Sequence, residues 1–209
     1  MKMEWNIEKS KKSDSKSIIE FITKAWNDTY KGLVNDEFLK GMKDTEERRY
    51  TNAINNFDDK TNMQYIIKDN NRIIAFLKLS KTDSNEGKND SIEIQSLYVL
   101  KEFQKRNLGK ELINKAFEEA IKMGYKELII GCLEENDSNG FYKKMGGEFI
   151  KKREFKLPNQ TLYENVYSYK LKKQDKDWGF QRELNPWPLP YQGSTLPTEL
   201  WKHTKIIIQ

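Results

Sequence analysis

The sequence predicts a mixed α/β domain on three observations. An apolar stripe at helical spacing lies near the start, two strand-like runs flank an Asn-rich turn, and a strand–helix–strand run fills the second half. The chain has 209 residues, 36% hydrophobic and 12% aromatic, which is enough for one ordinary core and too few for two. One domain is expected over residues 1–172, followed by a separate stretch over 173–209.

Taken in order, Glu4 to Glu8 alternates briefly as a first strand. Ser13 or Asp14 then stands as a cap before Ile18, Ile19, Phe21, Ile22 and Trp26, an apolar face of a helix. Residues 36–42 and 45–57 read as one or two short helices. Met63 to Lys68 and Arg72 to Leu79 are strands around Asp69-Asn70-Asn71, where Asn tolerates the positive φ of a tight turn. A polar loop leads to the strand Ser91 to Leu100. Leu108, Leu112, Ile113, Ala116, Phe117, Ala120 and Ile121 trace one face of a long helix, ended by Gly124. Lys126 to Leu133 is a strand and Asp137 to Met145 a short helix stopped by Gly146-Gly147. Two strands, 148–156 and 162–171, complete the domain. Segment 91–133 is the part most like a crossover unit.

Lys and Arg number 37 against 32 Asp and Glu, a net charge of +5. They are spread along the chain, which argues against a dedicated nucleic-acid arm, and no nucleic-acid motif occurs. Cys132 is the single cysteine and His203 the single histidine, so neither a disulfide framework nor a Cys- or His-based metal site is expected. No run approaches the ~20 apolar residues of a membrane span, and the start lacks a signal-peptide core, so no membrane partner is expected and the cytoplasm is the expected compartment. After residue 175 come Pro186, Pro188, Pro190, Pro197 and Trp178, Trp187, Trp201. Clustered prolines bar regular structure, so this stretch reads as an extended tail or as a Pro-rich recognition peptide. It also resembles the product of a reading frame that runs on into the antisense strand of a tRNA gene, in which case it has no selected role.

The chemistry concentrates in residues 97–117, LYVLKEFQKRNLGKELINKAF. A strand ends, a basic turn follows, and an amphipathic helix begins. The first amides of such a helix have no internal partners and carry the positive end of its dipole, while Lys105, Arg106 and Lys110 add charge. This suits a pyrophosphate. The three glycines of a dinucleotide fingerprint and the Gly-Lys-Ser/Thr of a Walker loop are both absent. A basic, solvated turn at a helix start is the alternative reading.

A second run, ENDSNGFYKKMGGEFI at 135–150, joins the first. Together they resemble the GNAT N-acetyltransferase superfamily over about residues 3–171: Gln104-Lys105-Arg106-Asn107-Leu108-Gly109 for its Gln/Arg-x-x-Gly-x-Gly/Ala turn, and Asn136 through Phe141-Tyr142 to Gly146 for its later Asn…Phe-Tyr…Gly run. Asn107 replaces the usual first glycine, and Asn is the side-chain-bearing residue that best tolerates left-handed backbone. The resemblance implies a central mixed, mostly antiparallel sheet flanked by helices, with acetyl-CoA as cosubstrate, no metal, and transfer to a primary amine by direct attack. Leu97, Tyr98 and Val99 would pair with the pantetheine arm, the amides of Gln104, Lys105, Arg106, Asn107, Leu108, Gly109 and Lys110 would hold the pyrophosphate, and Asn136 would bind pantetheine or phosphate. Tyr142 would stand by the sulfur as the acid that protonates the leaving thiolate, and the Val99 amide would meet the developing oxyanion.

Glu93 lies six residues before Val99, so strict alternation puts both on one strand face. Relatives that use a carboxylate base carry it on this strand, so Glu93 is the candidate base, directly or through water; a plain solvent-facing carboxylate is the competing reading. Trp26, Tyr30 and Phe38 are candidate walls of the acceptor pocket, with core packing as the alternative. Glu37, Glu46 and Glu47 are candidate attractors of a cationic amine, or else solvated helix charges. A small amine such as a polyamine is the expected partner of a monomer or homodimer. A non-catalytic CoA-binding module, or transfer to a protein N-terminus or lysine, is the alternative function.

Overall fold

The computed structural model describes residues 5–82 and 90–171. The boundary expected at 172, the 173–209 stretch and His203 lie outside them. The elements follow in the expected order: β1 (Ile7–Lys9), α1 (Ser15–Thr29), α2 (Asp36–Asp44), α3 (Glu46–Asn55), β2 (Gln64–Asp69), β3 (Arg72–Lys81), β4 (Ser91–Val99), α4 (Leu108–Lys122), β5 (Glu127–Leu133), α5 (Asn139–Lys144), β6 (Glu148–Leu157) and β7 (Gln160–Lys170). Seven strands form one sheet in the order β1-β2-β3-β4-β5-β7-β6. Only β4 and β5, joined through α4 as a crossover, run parallel among these neighbours; the rest are antiparallel.

Local chemistry accounts for the boundaries. Asn70 and Asn71 take φ of 48° and 67° in the β2–β3 turn. Gly124 closes α4 at φ 84°. Asn35 caps α2, its side chain accepting from the Phe38 amide at 2.7 Å. Asp14 does not cap α1: its carboxylate accepts from the Lys11 amide at 2.7 Å and the Lys68 ammonium at 2.9 Å, anchoring a short 3-10 turn to β2. Burial pushes the Asp14 carboxyl up, but these donors outweigh it and hold it below the ordinary carboxylate value. A carboxyl depressed on folding stabilises the fold above its unfolded pKa, near 4, and loses that contribution as pH falls through the folded value. Asp14→Asn is therefore expected to flatten the acid limb of stability against pH, as read from urea midpoints between about pH 2 and pH 5.

The sheet buries both faces. On one, α4 and α5 cover Ile67, Leu77, Ile92, Ile94, Leu97, Val99, Ile130 and Cys132. On the other, α1 and α2 cover Ile66, Phe76, Tyr98, Leu100 and Leu133, joined by Phe155 and Leu157 from β6. One irregularity matters for the site. Leu79 pairs with Ile94 but Lys78 with Ser96, so Gln95 is an extra residue in β4. The bulge reverses the alternation, so Ile92 and Ile94 share the α4 face with Leu97 and Val99. Glu93 therefore faces the other way, together with Ser96 and Tyr98.

There Glu93 joins a buried ionic group. Arg153 Nη2 lies 2.9 Å from Glu93, and Arg153 Nε bonds Glu164. All three are buried. Gly131 of β5 lies beneath them: a Cβ there would overlap the Glu164 carboxylate and stand 2.7 Å from Arg153 Nη2.

Candidate active site

The turn between β4 and α4 has the backbone that an anion cradle needs. Asn107 takes φ 65° as the residue before α4, so it does the work of the glycine it replaces. Lys105 also takes a positive φ, 61°, which its residue type does not announce. Lys105, Arg106 and Asn107 are exposed, while Leu108 and Gly109 are buried at the helix start. The first amides of α4 thus lie directly behind an exposed, basic turn. Arg106 is turned back, its guanidinium reaching the Glu102 carbonyl at 3.2 Å and stacking 5.1 Å from the Phe103 ring centre. Gln104 donates its side-chain amide to the Val99 carbonyl at 3.2 Å, tying the turn to the end of β4.

From that turn a gap runs between β4 and β5. Their pairing stops at Ile94 with Ile130, and β5 continues from Gly131 to Leu133 paired with β7. The Leu100 amide bonds Ile74 of β3 at 3.0 Å. Antiparallel ladders alternate, so the Val99 and Leu97 amides point away from β3, into the gap. Two buried polar atoms beside it have no hydrogen-bond partner among the described residues, Gln95 Oε1 and Ser96 Oγ. A ligand able to pair with a bare strand edge fits these groups, as the pantetheine arm of acetyl-CoA does with its two amides.

Across the gap, Tyr142 is fully buried on α5, in the cluster that holds Leu97, Val99 and Cys132. Its ring centre lies 6.0 Å from that of Tyr167, and its carbonyl accepts from the Tyr169 hydroxyl at 3.1 Å. Asn136 folds its side-chain oxygen onto the Ser138 amide at 2.9 Å, shaping the turn into α5. Asn139 is the residue that the sequence reading did not single out. It donates to the carbonyls of Leu133 (2.8 Å) and Asn136 (2.7 Å) and accepts from the Tyr167 hydroxyl (2.8 Å) and Asn165 (3.0 Å). It thereby fixes the end of β5, α5 and β7 together; its place three residues after Asn136 was the available signal.

On the opposite face a groove of about 740 Å3 opens between α1, α2 and α3. Its floor takes Phe76, Lys78 and Ser80 from β3, and Phe155 and Leu157 from the far edge of the sheet. The β6–β7 hairpin closes one end by reaching the α1–α2 turn, with Gln160 bonding the Asn35 amide at 2.8 Å and the Leu33 carbonyl at 3.0 Å.

Trp26 and Phe38 line this groove. Tyr30 does not: it is the residue after the last turn of α1 and is completely buried against Trp26, ring centres 4.9 Å apart. Glu37, Glu46 and Glu47 do not line it either. Glu37 is exposed, Glu46 pairs with Lys43 at 2.5 Å, and Glu47 lies 3.7 Å from Lys16. Glu93 also departs from expectation, since the Gln95 bulge takes it off the Val99 face and Arg153 holds its carboxylate. The charged groups that do line the groove are Arg48, Arg49, Lys78, Lys81 and one acid, Asp58. Burial pushes the Arg49 guanidinium down to a pKa of about 10, with Glu46 opposing the shift, so it is charged at neutral pH.

The acetyltransferase (GNAT) family model matches residues 20–147. The chain is 21% identical over 164 residues to the uncharacterized N-acetyltransferase YuaI of Bacillus subtilis, covering 76% of this chain and 88% of that protein. Among solved structures it resembles the PaiA N-acetyltransferase of Thermoplasma acidophilum in complex with coenzyme A, with TM-score 0.62, 19% identity, and 80% and 99% of the two chains covered. It also resembles a putative acetyltransferase of Salmonella typhimurium solved with acetyl-CoA, with TM-score 0.55, 16% identity, and 81% and 95% covered. A strand gap leading from a basic turn at a helix start, on a sheet of this order and with this family match, has one reading: the chain belongs to the acetyltransferase (GNAT) family.

Proposed function

We propose that this enzyme moves the acetyl group of acetyl-CoA to the primary amine of a small molecule that enters by the groove under α1–α3. The observation that carries this reading is the gap between β4 and β5 beside the basic turn, on a sheet whose other face carries the groove. Acetyl-CoA supplies the activated acyl group as a thioester.

The chain's own residues do the rest. The first amides of α4 hold the pyrophosphate, with Lys105 and Lys110 adding positive charge. The edges of Leu97 and Val99 orient the pantetheine arm as an added strand. The Val99 amide points at the place where charge develops on the thioester oxygen. Tyr142 gives a proton to the departing thiolate. The amine's own proton leaves through the open groove to water.

A thioester-consumption assay over amines, amino acids, aminoglycosides and short peptides tests the reading. Release of free CoA with at least one acceptor supports it, and binding of CoA with no turnover across the panel overturns it. Tyr142→Phe is expected to lower kcat by about 100-fold, with the Kd for acetyl-CoA nearly unchanged; a wild-type rate removes the acid role. Truncation after Lys172 is expected to leave melting temperature and turnover intact, because the seven strands of the described sheet precede it and the Leu171 amide already closes on the Lys126 carbonyl at 2.8 Å. An unfolded product would place the remaining residues inside the domain.

A further inference from the structure

We infer that the acceptor carries an anionic group, a carboxylate or a phosphate, in addition to its amine, and that Arg49 and Trp26 bind it. The inference rests on the groove being the acceptor site. Arg49 is only 6% exposed, yet among the described residues it takes part in no ion pair; the nearby Glu46 carboxylate pairs with Lys43 instead. Its Nη2 donates to two neutral oxygens, Thr23 Oγ1 at 2.5 Å and the Met42 carbonyl at 2.8 Å, and its Nε is buried without a partner. Glu46 acts on it through space, but that carboxylate is bonded to Lys43. Trp26, 3% exposed on α1, has an indole N–H that is likewise buried and unpaired. Both side chains line the groove.

A buried donor left without an acceptor costs the fold free energy, and more so on a charged group. Two such groups in one groove, both donors, ask for an oxygen ligand that accepts from both. A guanidinium edge matches a carboxylate or phosphate in shape as well as charge. The remaining charges agree: Arg48, Lys78 and Lys81 against Asp58. The same field disfavours a polyamine, whose several cations would enter a basic groove.

Matched acceptors test this: phenethylamine against phenylalanine, cadaverine against lysine, and ethanolamine against phosphoethanolamine, each assayed for CoA release. The anionic member is expected to exceed its parent about 10- to 100-fold in kcat/KM. The phenylalanine, lysine and phosphoethanolamine arms tell a carboxylate from a phosphate. Arg49→Leu is expected to raise KM for the preferred acceptor by a similar factor and to erase its advantage over the parent amine, while KM for acetyl-CoA holds and the melting curve shows a folded protein. Trp26→Phe keeps the ring, removes the N–H and should raise acceptor KM in the same direction, so the test survives an Arg49 variant that does not fold. Preferred turnover of cadaverine or another parent amine lacking the anionic group, or an acceptor KM indifferent to both substitutions, overturns the inference and leaves the acetyltransfer reading standing. Absence of CoA release with every acceptor defeats both.

Discussion

Gly109→Glu is expected to abolish acetyl-CoA binding, with a loss of at least about 100-fold in affinity, near 3 kcal/mol. Gly109 is the second residue of α4, buried at the point where the helix's first amides emerge. A glutamate there brings a negative charge and a side chain to the place proposed for pyrophosphate. Its carboxylate also competes for the same amides, to which acidic side chains at helix starts are attracted by about 0.3–1 kcal/mol. The basic turn, Lys105 to Lys110, is then neutralised from within. Calorimetric titration with CoA reads the outcome, and a melting curve separates lost binding from lost fold. Affinity equal to wild type would take the pyrophosphate away from this turn.

Gly131→Val is expected to cost the fold about 3–5 kcal/mol, enough to unfold a marginal domain. The φ of Gly131 is ordinary, so the requirement is one of space alone. The Cβ of any other residue would overlap the Glu164 carboxylate and crowd Arg153. Those side-chain ends can swing only by leaving a buried group of two carboxylates and one guanidinium, and a charge left unpaired there is far costlier than an exposed one. Urea unfolding measures the loss. A variant as stable as wild type would show that the ionic group relocates freely.

Much of this was legible in the residues, and the misses have physical causes. The Asn107 substitution announced its own left-handed backbone, and the phase of Leu108 to Ala120 announced α4. Glu93 was placed on the wrong face because strict alternation was counted across Gln95. The apolar series does change phase there, from Ile92 and Ile94 to Leu97 and Val99, but Tyr98 and Leu100 are apolar as well and mask the shift. Trp26 and Tyr30 are four apart, a spacing that puts two helical residues on one face. Yet α1 ends at Thr29, so Tyr30 turns beneath the helix rather than along it. Arg49 follows Glu46, Glu47 and Arg48, a run that reads as a solvated helix surface. Only the packing of α3 on α1 and α2 buries it beside Thr23 and Met42.

The sheet order has a consequence for how the enzyme comes into being. β7 lies between β5 and β6, so β6 has no place in the sheet until β7 has arrived. Phe155, Leu157 and the Gln160 clasp on the α1–α2 turn depend on that late insertion. On the ribosome, a nascent chain that has just exposed β5 already owns its basic turn before α4 but still lacks one wall of its groove. These pairings span more than a hundred residues, which places the step among the slow, non-local events of folding. The turn before α4 is thus laid down early in synthesis and the closed groove late, with the final strands of the sheet.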